Sequence, residues 1–382
     1  MIIYFLFLLL LFYFGDFLKD IFYNLIFIYK SYLLVNGITN NTLDKKKLED
    51  YKCVVKNTGV FAIKLVQWGL NRFKLLTSSE KTELLLEELE IFYENCPFHS
   101  EKYTREIFKS NSNYNLEDKY SIERIASGSI AQVYKIQNLE DGKYFAMKVV
   151  HPNIRRKIYI SKKIFELLML INKYIYHYKV SFDLTNFFYS IEEQTDLQNE
   201  AYYIKHFYSL YKDNKYVVIP EVIEFNHDIL IMSYEEGIFY DDLNISSYKK
   251  GKIISLLEIF LLNNMIVDKL IHADLHNGNW KVRQIKDSNE YQLIIYDFGL
   301  CLDIKLFSIE DFYKSVINVD HELLVDVICE GIISKPQNFS DCKKKLLQII
   351  KLEIDLKYMD MNKVLSVILK ECHKLEIIFD SN

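Results

Sequence analysis

The chain has 382 residues, of which half are apolar and about a quarter charged, and its net charge is −5. That length allows two lobes or domains, each with its own core, and the acidic balance, with no basic stripe carrying interleaved aromatics, excludes a nucleic-acid-binding class. Six scattered cysteines (Cys53, Cys96, Cys301, Cys329, Cys342 and Cys372) contain no C-x-x-C pair, which excludes a zinc module or a disulfide framework and points to reduced, mostly buried thiols.

With 11 Gly and 4 Pro, and many long side chains, the chain reads as largely helical. Residues 1–14 are apolar or aromatic throughout, and Gly15-Asp16 is expected to break the run before a second apolar stretch at 21–35. The start lacks the cationic residues of a secretory signal and the Arg/Ser richness of a transit peptide. A membrane anchor, an interfacial helical hairpin rich in Phe and Tyr, and a packed pair of apolar helices all fit. Polar residues 36–50 read as a linker, residues 57–92 as two helices, and 110–118 as a second boundary.

From 121 to 137 the pattern alternates around a small-residue turn, and Asp141-Gly142 then gives a hairpin signal before 144–150. Residues 156–178 and 182–211 are long and periodic, hence helices, whereas 217–223 and 229–234 read as short strands. After Gly237 the chain is mainly helical, except for strands at 280–283 and 292–296. Strands, a long helical insertion and then a helical half suggest an α+β, bilobal, protein-kinase-like arrangement. The expected divisions are 1–35 (membrane-associating), 36–50 (linker), 51–118 (helical extension), 119–236 (N-lobe) and 237–382 (C-lobe).

The strongest chemical signal is His272-Ala273-Asp274-Leu275-His276-Asn277-Gly278-Asn279, followed by Tyr296-Asp297-Phe298-Gly299. Phosphoryl transfer from ATP needs a carboxylate near the nucleophile, and an Asn and an Asp to hold Mg²⁺ against the phosphates. A kinase catalytic loop spaces its Asp and Asn five residues apart, as Asp274 and Asn279 are, and Asp297 opens a D-F-G after an apolar run. Lys148 in Phe145-Ala146-Met147-Lys148-Val149-Val150 matches the strand Lys that holds the α- and β-phosphates. A Lys inside an apolar strand costs desolvation unless it is paired, and Glu200 is the best candidate partner. Ala126-Ser127-Gly128-Ser129 precedes the second strand where a protein kinase carries several glycines, and this turn has one.

Taken together, the Ala/Ser turn leading into Ser129-Ile130-Ala131-Gln132-Val133, the Lys strand followed by His151-Pro152, and the H-A-D-x-H-x-G-N loop before D-F-G resemble the UbiB (ADCK/Coq8-type) family. The similarity runs from about Gly59 to Leu300 and looks nearest the ADCK2-like branch, through Gln67-Trp68, Gln194-Thr195-Asp196 and Tyr234-Glu235-Glu236-Gly237. The resemblance implies a protein-kinase-like fold whose K-x-G-Q helix, here Lys64-Leu65-Val66-Gln67, packs over the active site. It implies an atypical kinase or ATPase that uses ATP and Mg²⁺, supports isoprenoid-quinone (ubiquinone) metabolism, and is membrane-associated and mitochondrial. Its partners would be a membrane lipid or quinone-like small molecule and quinone-biosynthesis proteins, with no nucleic acid. Carried over by motif, Asp274, Lys148 and Asn279 are catalytic, and Asn279 and Asp297 hold the metal. Ala126, Ser127, Gly128, Ser129, Lys148, Glu200 and Glu235 bind nucleotide, while Lys64, Gln67, Gln194 and Asp196 gate the site. Val66 replaces the family's Gly and Gln194 its acidic residue, features that favour the rival reading of a non-catalytic scaffold. A third reading, a protein Ser/Thr kinase, lacks both the glycine-rich loop and an A-P-E segment after Asp297.

Overall fold

The computed structural model describes residues 2–40, 42–76, 87–94, 96–172, 174, 184–303, 309–330, 332–334, 338–355, 367 and 378–379. Helices α1 (Ile2–Thr39), α2 (Lys45–Thr58), α3 (Val60–Leu76) and α4 (Glu101–Asn111) precede the first strands, and α5 (Ile154–Ile171) comes after the third. Strands β1 (Tyr120–Ser127), β2 (Ala131–Asn138) and β3 (Tyr144–Val150) follow α4. Helices α6 (Leu184–Gln194) and α7 (Leu197–Tyr211) lead to β4 (Val217–Val218), β5 (Val222–Phe225) and β6 (Ile229–Ser233). The main sheet is ordered β1-β2-β3-β6-β5. The later half holds α8 (Ser247–Asn263), β7 (Leu270–His272), β8 (Trp280–Gln284), β9 (Tyr291–Ile295) and β10 (Cys301–Asp303). It ends with α9 (Ile309–Ile317), α10 (His321–Glu330), β11 (Ile332–Ser334), α11 (Phe339–Glu353) and β12 (Ile378–Phe379).

The chain forms two compact units, each discontinuous in sequence. Unit 1 is Met1–Ser110, Arg124–Tyr134 and Val149–Tyr178. Unit 2 is Asn111–Glu123, Lys135–Lys148 and Lys179–Asn382. In unit 1, α1 packs on α2 and α5, and α3 on α2 and α5. Its core includes Phe27, Leu48, Val55, Phe61 and Ile158. In unit 2, β8 and β9 pair antiparallel with β4 parallel to β9, and β10 pairs antiparallel with β7. Leu324, Val325, Leu346 and Ile350 form a separate apolar cluster under α10 and α11.

The fold departs from the sequence pattern at several points. Gly15-Asp16 does not break the first helix, because α1 runs unbroken from Ile2 to Thr39. One helical glycine costs about 1 kcal/mol, less than the cooperative gain from the helix around it, so the hairpin and the helix pair, two of the three readings of this segment, do not form. The linker at 36–50 is also mostly helical. Asp44 caps α2 by accepting the Lys47 N–H at 2.9 Å, and its apolar positions Leu48, Tyr51 and Val55 are buried while Lys45, Lys46, Lys47 and Lys56 face out. The helix expected over 182–211 divides into α6 and α7 at Thr195-Asp196, because the Asp196 carboxylate accepts the Gln198 N–H at 3.0 Å and starts a new helix. Pro220 divides the run 217–223 into β4 and β5, which belong to different sheets. The signal at 141–142 does join β2 to β3, with Gly142 at φ 72° and its N–H on Asn138 O at 2.9 Å. That left-handed backbone suits glycine. Of the two helices expected over 57–92, α3 is one, and 77–86 lie outside the described residues, as do 175–178 and Cys372.

Candidate active site

The site in unit 2 begins with a lysine that solvent barely reaches. Along β3, Ala146, Met147 and Lys148 are all buried, and Lys148 retains 4 % exposure. An unpaired ammonium there would be strongly destabilising. Two carboxylates satisfy it: Nζ donates to Glu200 Oε1, and to Asp297 Oδ2 at 2.9 Å. Glu200 sits in the first turn of α7, so the Asp196 cap that starts this helix also sets where Glu200 falls. Asp297 leaves the buried end of β9, where Leu293, Ile294 and Ile295 are fully enclosed.

The electrostatics follow from these contacts. Burial works against the Lys148 ammonium, but Asp297 and Glu200 outweigh it and hold the lysine above its ordinary pKa. Burial pushes Glu200 upward against the pull of Lys148. For Asp297 the burial effect is overcome by the Lys148 charge, and its carboxyl is held well below the usual range. Asp297 is thus the firmer anion of the two, and its side chain keeps 36 % exposure against 5 % for Glu200. One ammonium against two carboxylates leaves a net −1, carried on the carboxylate that faces outward.

A second set of bonds locks the catalytic-loop motif to this trio. His272, buried at the end of β7, donates from Nε2 to Asp297 O and accepts the Asp274 N–H at Nδ1 over 3.3 Å. Burial lowers its pKa, which favours the neutral imidazole that this donor–acceptor pattern requires. Asn279 Nδ2 donates to Asp274 O at 2.6 Å. Phe298 is fully buried, stacks on Phe207 at 4.8 Å between centroids, and donates its N–H to Glu200 Oε1 at 3.3 Å. Lys148, Glu200, Asp297, His272, Asp274 and Asn279 therefore form one connected network. The motif alone assigns His272 no role; its place two residues before Asp274 is the sequence signal for this bridging position.

Three other expected residues of unit 2 have local structural partners. Glu235 accepts Arg283 Nη1 at 3.0 Å and the Ser233 hydroxyl at 3.0 Å. Beside it, Gly237 is close-packed: a Cβ there would come within 2.9 Å of both Ile294 and Lys281. Gln194 is buried and donates to Ser190 O at 3.0 Å, while Asp196 caps α7 and accepts His227 Nδ1 at 2.8 Å.

Unit 1 carries the Ala126-Ser127-Gly128-Ser129 turn. The Gly128 N–H donates to Ala131 O at 2.9 Å, and Gly128 O accepts His151 Nε2 at 3.0 Å, so both backbone groups of the single glycine are engaged. Ser127 donates to Pro97 O at 3.0 Å. His151 Nδ1 lies 2.8 Å from His99 Nδ1, His99 Nε2 lies 2.9 Å from Thr104 Oγ1, and Thr104 bonds Tyr134 at 2.6 Å. Gln132 Nε2 donates to the Tyr134 oxygen, and Gln132 Oε1 accepts the His99 N–H at 2.8 Å. The two ends fix the direction: an amide must donate at Gln132 and a carbonyl must accept at Gly128, so every proton between them has one place. Burial, and then the charge His151 can carry, lower the His99 pKa to about 4. No sequence signal links His99 to His151, 52 residues apart. Lys64 and Gln67 lie on α3 in this unit, with Gln67 Nε2 donating to Phe92 O at 2.9 Å and Val66 buried between them.

The donor set of unit 2 suits a hard cation. Asp297 presents a partly exposed carboxylate that carries the net negative charge, and the Asn279 amide nitrogen is committed to Asp274, which leaves its oxygen as the atom that could meet a cation. Oxygen donors with one or two carboxylates match Mg²⁺ bound together with phosphates.

Comparison with known proteins gives the same class. Residues 92–327 match the ABC1 atypical kinase-like domain, more than half of the chain. The chain belongs to that family, the one named by the UbiB resemblance, and has its α+β protein-kinase-like fold. It is 29 % identical over 247 residues to the probable serine/threonine-protein kinase abkC of Dictyostelium discoideum, covering 62 % of this chain and 35 % of that protein. It is 27 % identical to the ABC1 family protein MCP2 of Saccharomyces cerevisiae, covering 64 % of this chain and 46 % of that one. A third relative, the mitochondrial ABC1 family protein YPL109C of the same yeast, is 26 % identical over 60 % of this chain and 38 % of its own length. The chain thus spans less than half the length of these curated relatives.

Proposed function

We propose that the protein is an Mg-ATP-binding atypical kinase or ATPase that supports isoprenoid-quinone metabolism at a membrane. The observation that carries this reading is the single hydrogen-bonded network joining Lys148, Glu200 and Asp297 to Asp274 and Asn279 through His272. Lys148 holds the α- and β-phosphates and Glu200 orients it. Asp297 and Asn279 would hold Mg²⁺, which would supply positive charge to screen the phosphates. Asp274 positions a water or a substrate hydroxyl in line with the γ-phosphate. Lys64 and Gln67, with Gln194 and Asp196, gate access, and Glu235 lies at the nucleotide edge. Within the family we place the chain nearest the ADCK2-like branch, on Gln67-Trp68, Gln194-Thr195-Asp196 and Tyr234–Gly237.

Support for the setting comes from α1 and from the relatives. Gly15–Ile38 is long and apolar enough to meet a bilayer, and one relative carries a mitochondrial name. The test is single-turnover ATP hydrolysis with and without a quinone-like lipid. A burst of ADP that Asp274→Asn removes is the expected result, and a burst of equal size in that variant would remove Asp274 from the mechanism.

The second reading, a nucleotide-binding scaffold that recruits quinone-biosynthesis proteins, has one specific observation behind it. The buried Gln194 makes a neutral bond to Ser190 O where the family motif carries an acid. Tight Mg-ATP binding with no ADP in the same experiment would favour it.

A further inference from the structure

Helix α1 is packed inside out. Its inward positions, four and three residues apart, include Asp20, Asn24, Phe27, Ser31 and Leu34. Three of these five are polar, and they bond within unit 1. Asp20 pairs with Arg156 Nη2 of α5 at 3.1 Å, and Asn24 Nδ2 donates to Asp20 O at 2.8 Å. Ser31 shares a proton with the Tyr51 hydroxyl of α2 at 3.1 Å. Two further ties run to α2 from the sides of the helix, Thr58 Oγ1 donating to Tyr23 O at 3.2 Å and Lys30 facing Asp50 at 3.7 Å.

The opposite face carries Leu18, Phe22, Leu25, Tyr29 and Tyr32, at the same alternating spacing and with exposures of 50 %, 59 %, 51 %, 60 % and 66 %. In water this arrangement is upside down, since an amphipathic helix buries its apolar stripe and shows its polar one. A contiguous exposed apolar stripe of this size marks an interaction surface.

The occupant is specified by what the stripe continues. Residues 2–14 extend the same helix, and their sequence (IIYFLFLLLLFYF) has no charged or amide side chain at any position. A protein groove covers one side of a helix, whereas lipid accepts apolar groups on every side. Phe and Tyr together suit the boundary between headgroups and acyl chains, where the ring is buried and the phenol stays wet.

Length and mean hydropathy would also let Gly15–Ile38 cross a bilayer. The polar face argues against that. Crossing would carry Asp20, Asn24 and Lys30 into hydrocarbon and strip them from Arg156 and α2, and charged groups at the centre of a membrane are costly. We infer that Gly15–Ile38 does not span the membrane but lies along its surface, with the Leu18–Tyr32 stripe sunk into the headgroup boundary of one leaflet and the Asp20–Arg156 face held by unit 1. This deepens, and rests on, the reading that the protein works at a membrane.

The test uses the full chain with vesicles of phosphatidylcholine containing phosphatidylglycerol, in a Cys53→Ser, Cys372→Ser background. Nitroxide labels at Phe22→Cys, Leu25→Cys and Tyr29→Cys report depth through collisions with oxygen and with a water-soluble nickel complex. The inference predicts flotation with the vesicles and one shared shallow depth for the three labels. Depth that rises steadily along the helix would show a crossing segment and overturn it. Flotation with all three labels fully accessible to nickel would place membrane contact elsewhere and also overturn it, leaving the membrane reading intact. Absence of flotation would sink both. As an independent arm, Phe22→Ser/Leu25→Ser/Tyr29→Ser should weaken vesicle partition roughly tenfold or more without changing the melting temperature in the absence of lipid. Unchanged partition of that variant would contradict the proposal.

Discussion

In unit 2, Lys148 and Glu200 are buried as ions beside the partly exposed Asp297, whereas in unit 1 His99, Thr104, Tyr134 and Gln132 are buried as neutral groups beside the half-buried His151. Both clusters face the same desolvation problem, and they differ in what is left over. The neutral chain closes on itself, each donor meeting one acceptor, and its two ends are an amide and a backbone carbonyl. The ionic trio does not close: it keeps an unbalanced negative charge and leaves that charge on the most exposed of its members. A closed cluster fixes shape, and an open one is prepared for a ligand of opposite charge.

The largest expected effect comes from removing the only cation of the trio. Lys148→Met leaves the buried Glu200 and the partly exposed Asp297 without their cation and should cost about 3–5 kcal/mol, read by urea unfolding. Adding Glu200→Leu should recover a good part of that loss, because the remaining Asp297 faces outward. If the double variant is no more stable than the single one, the trio is not an electrostatic unit.

The neutral cluster should be sensitive to acid. His99 has a folded pKa near 4 against an ordinary 6.5, so the unfolded chain binds the proton first. Its contribution is therefore complete above about pH 6.5 and is lost as pH falls toward 4, about 3 kcal/mol at most. Unfolding free energies at pH 7 and pH 4.5 should show a larger acid loss for wild type than for His99→Asn. Equal losses would mean that His99 is not held neutral. Thr104→Val, which interrupts the chain between His99 and Tyr134, should cost about 1–3 kcal/mol at neutral pH, with no change in acid sensitivity beyond that of His99.

The smallest effect tests the helix start that positions Glu200. Asp196→Ala removes the α7 cap and the His227 contact, and should cost about 1 kcal/mol. Asp196→Asn, which keeps a capping oxygen, should recover most of it. A role limited to gating would leave stability unchanged in both.

The grouping of Lys148, Glu200 and Asp297 in unit 2 was legible in the sequence because kinase-type motifs are local. The Asp274–Asn279 spacing, the D-F-G at Asp297 and the Lys inside an apolar strand each lie within a few residues, and desolvation alone demanded a partner such as Glu200. What was not legible had non-local causes or small local ones. A single capping carboxylate, Asp196, ended a helical periodicity that otherwise ran on from 182 to 211. Pro220 sent β4 and β5 to different sheets, which no strand propensity records. Gly15 reads as a break on propensity alone, which leaves out the cooperativity of a 38-residue helix. The His99–His151 contact joins residues 52 apart whose local sequences carry no pattern. The exposed side of α1 was visible as apolar residues, but its inward polar side appears only once Asp20 is seen on Arg156.

The most direct measurement of the central claim is ATP binding by thermal shift and calorimetry, with and without Mg²⁺, on wild type and on Asp297→Asn. If the open negative trio is a metal–nucleotide site, wild type is stabilised by several degrees only when ATP and Mg²⁺ are both present, and Asp297→Asn loses that response. Stabilisation of equal size in the variant, or without the metal, would contradict the account and remove the metal assignment from Asp297.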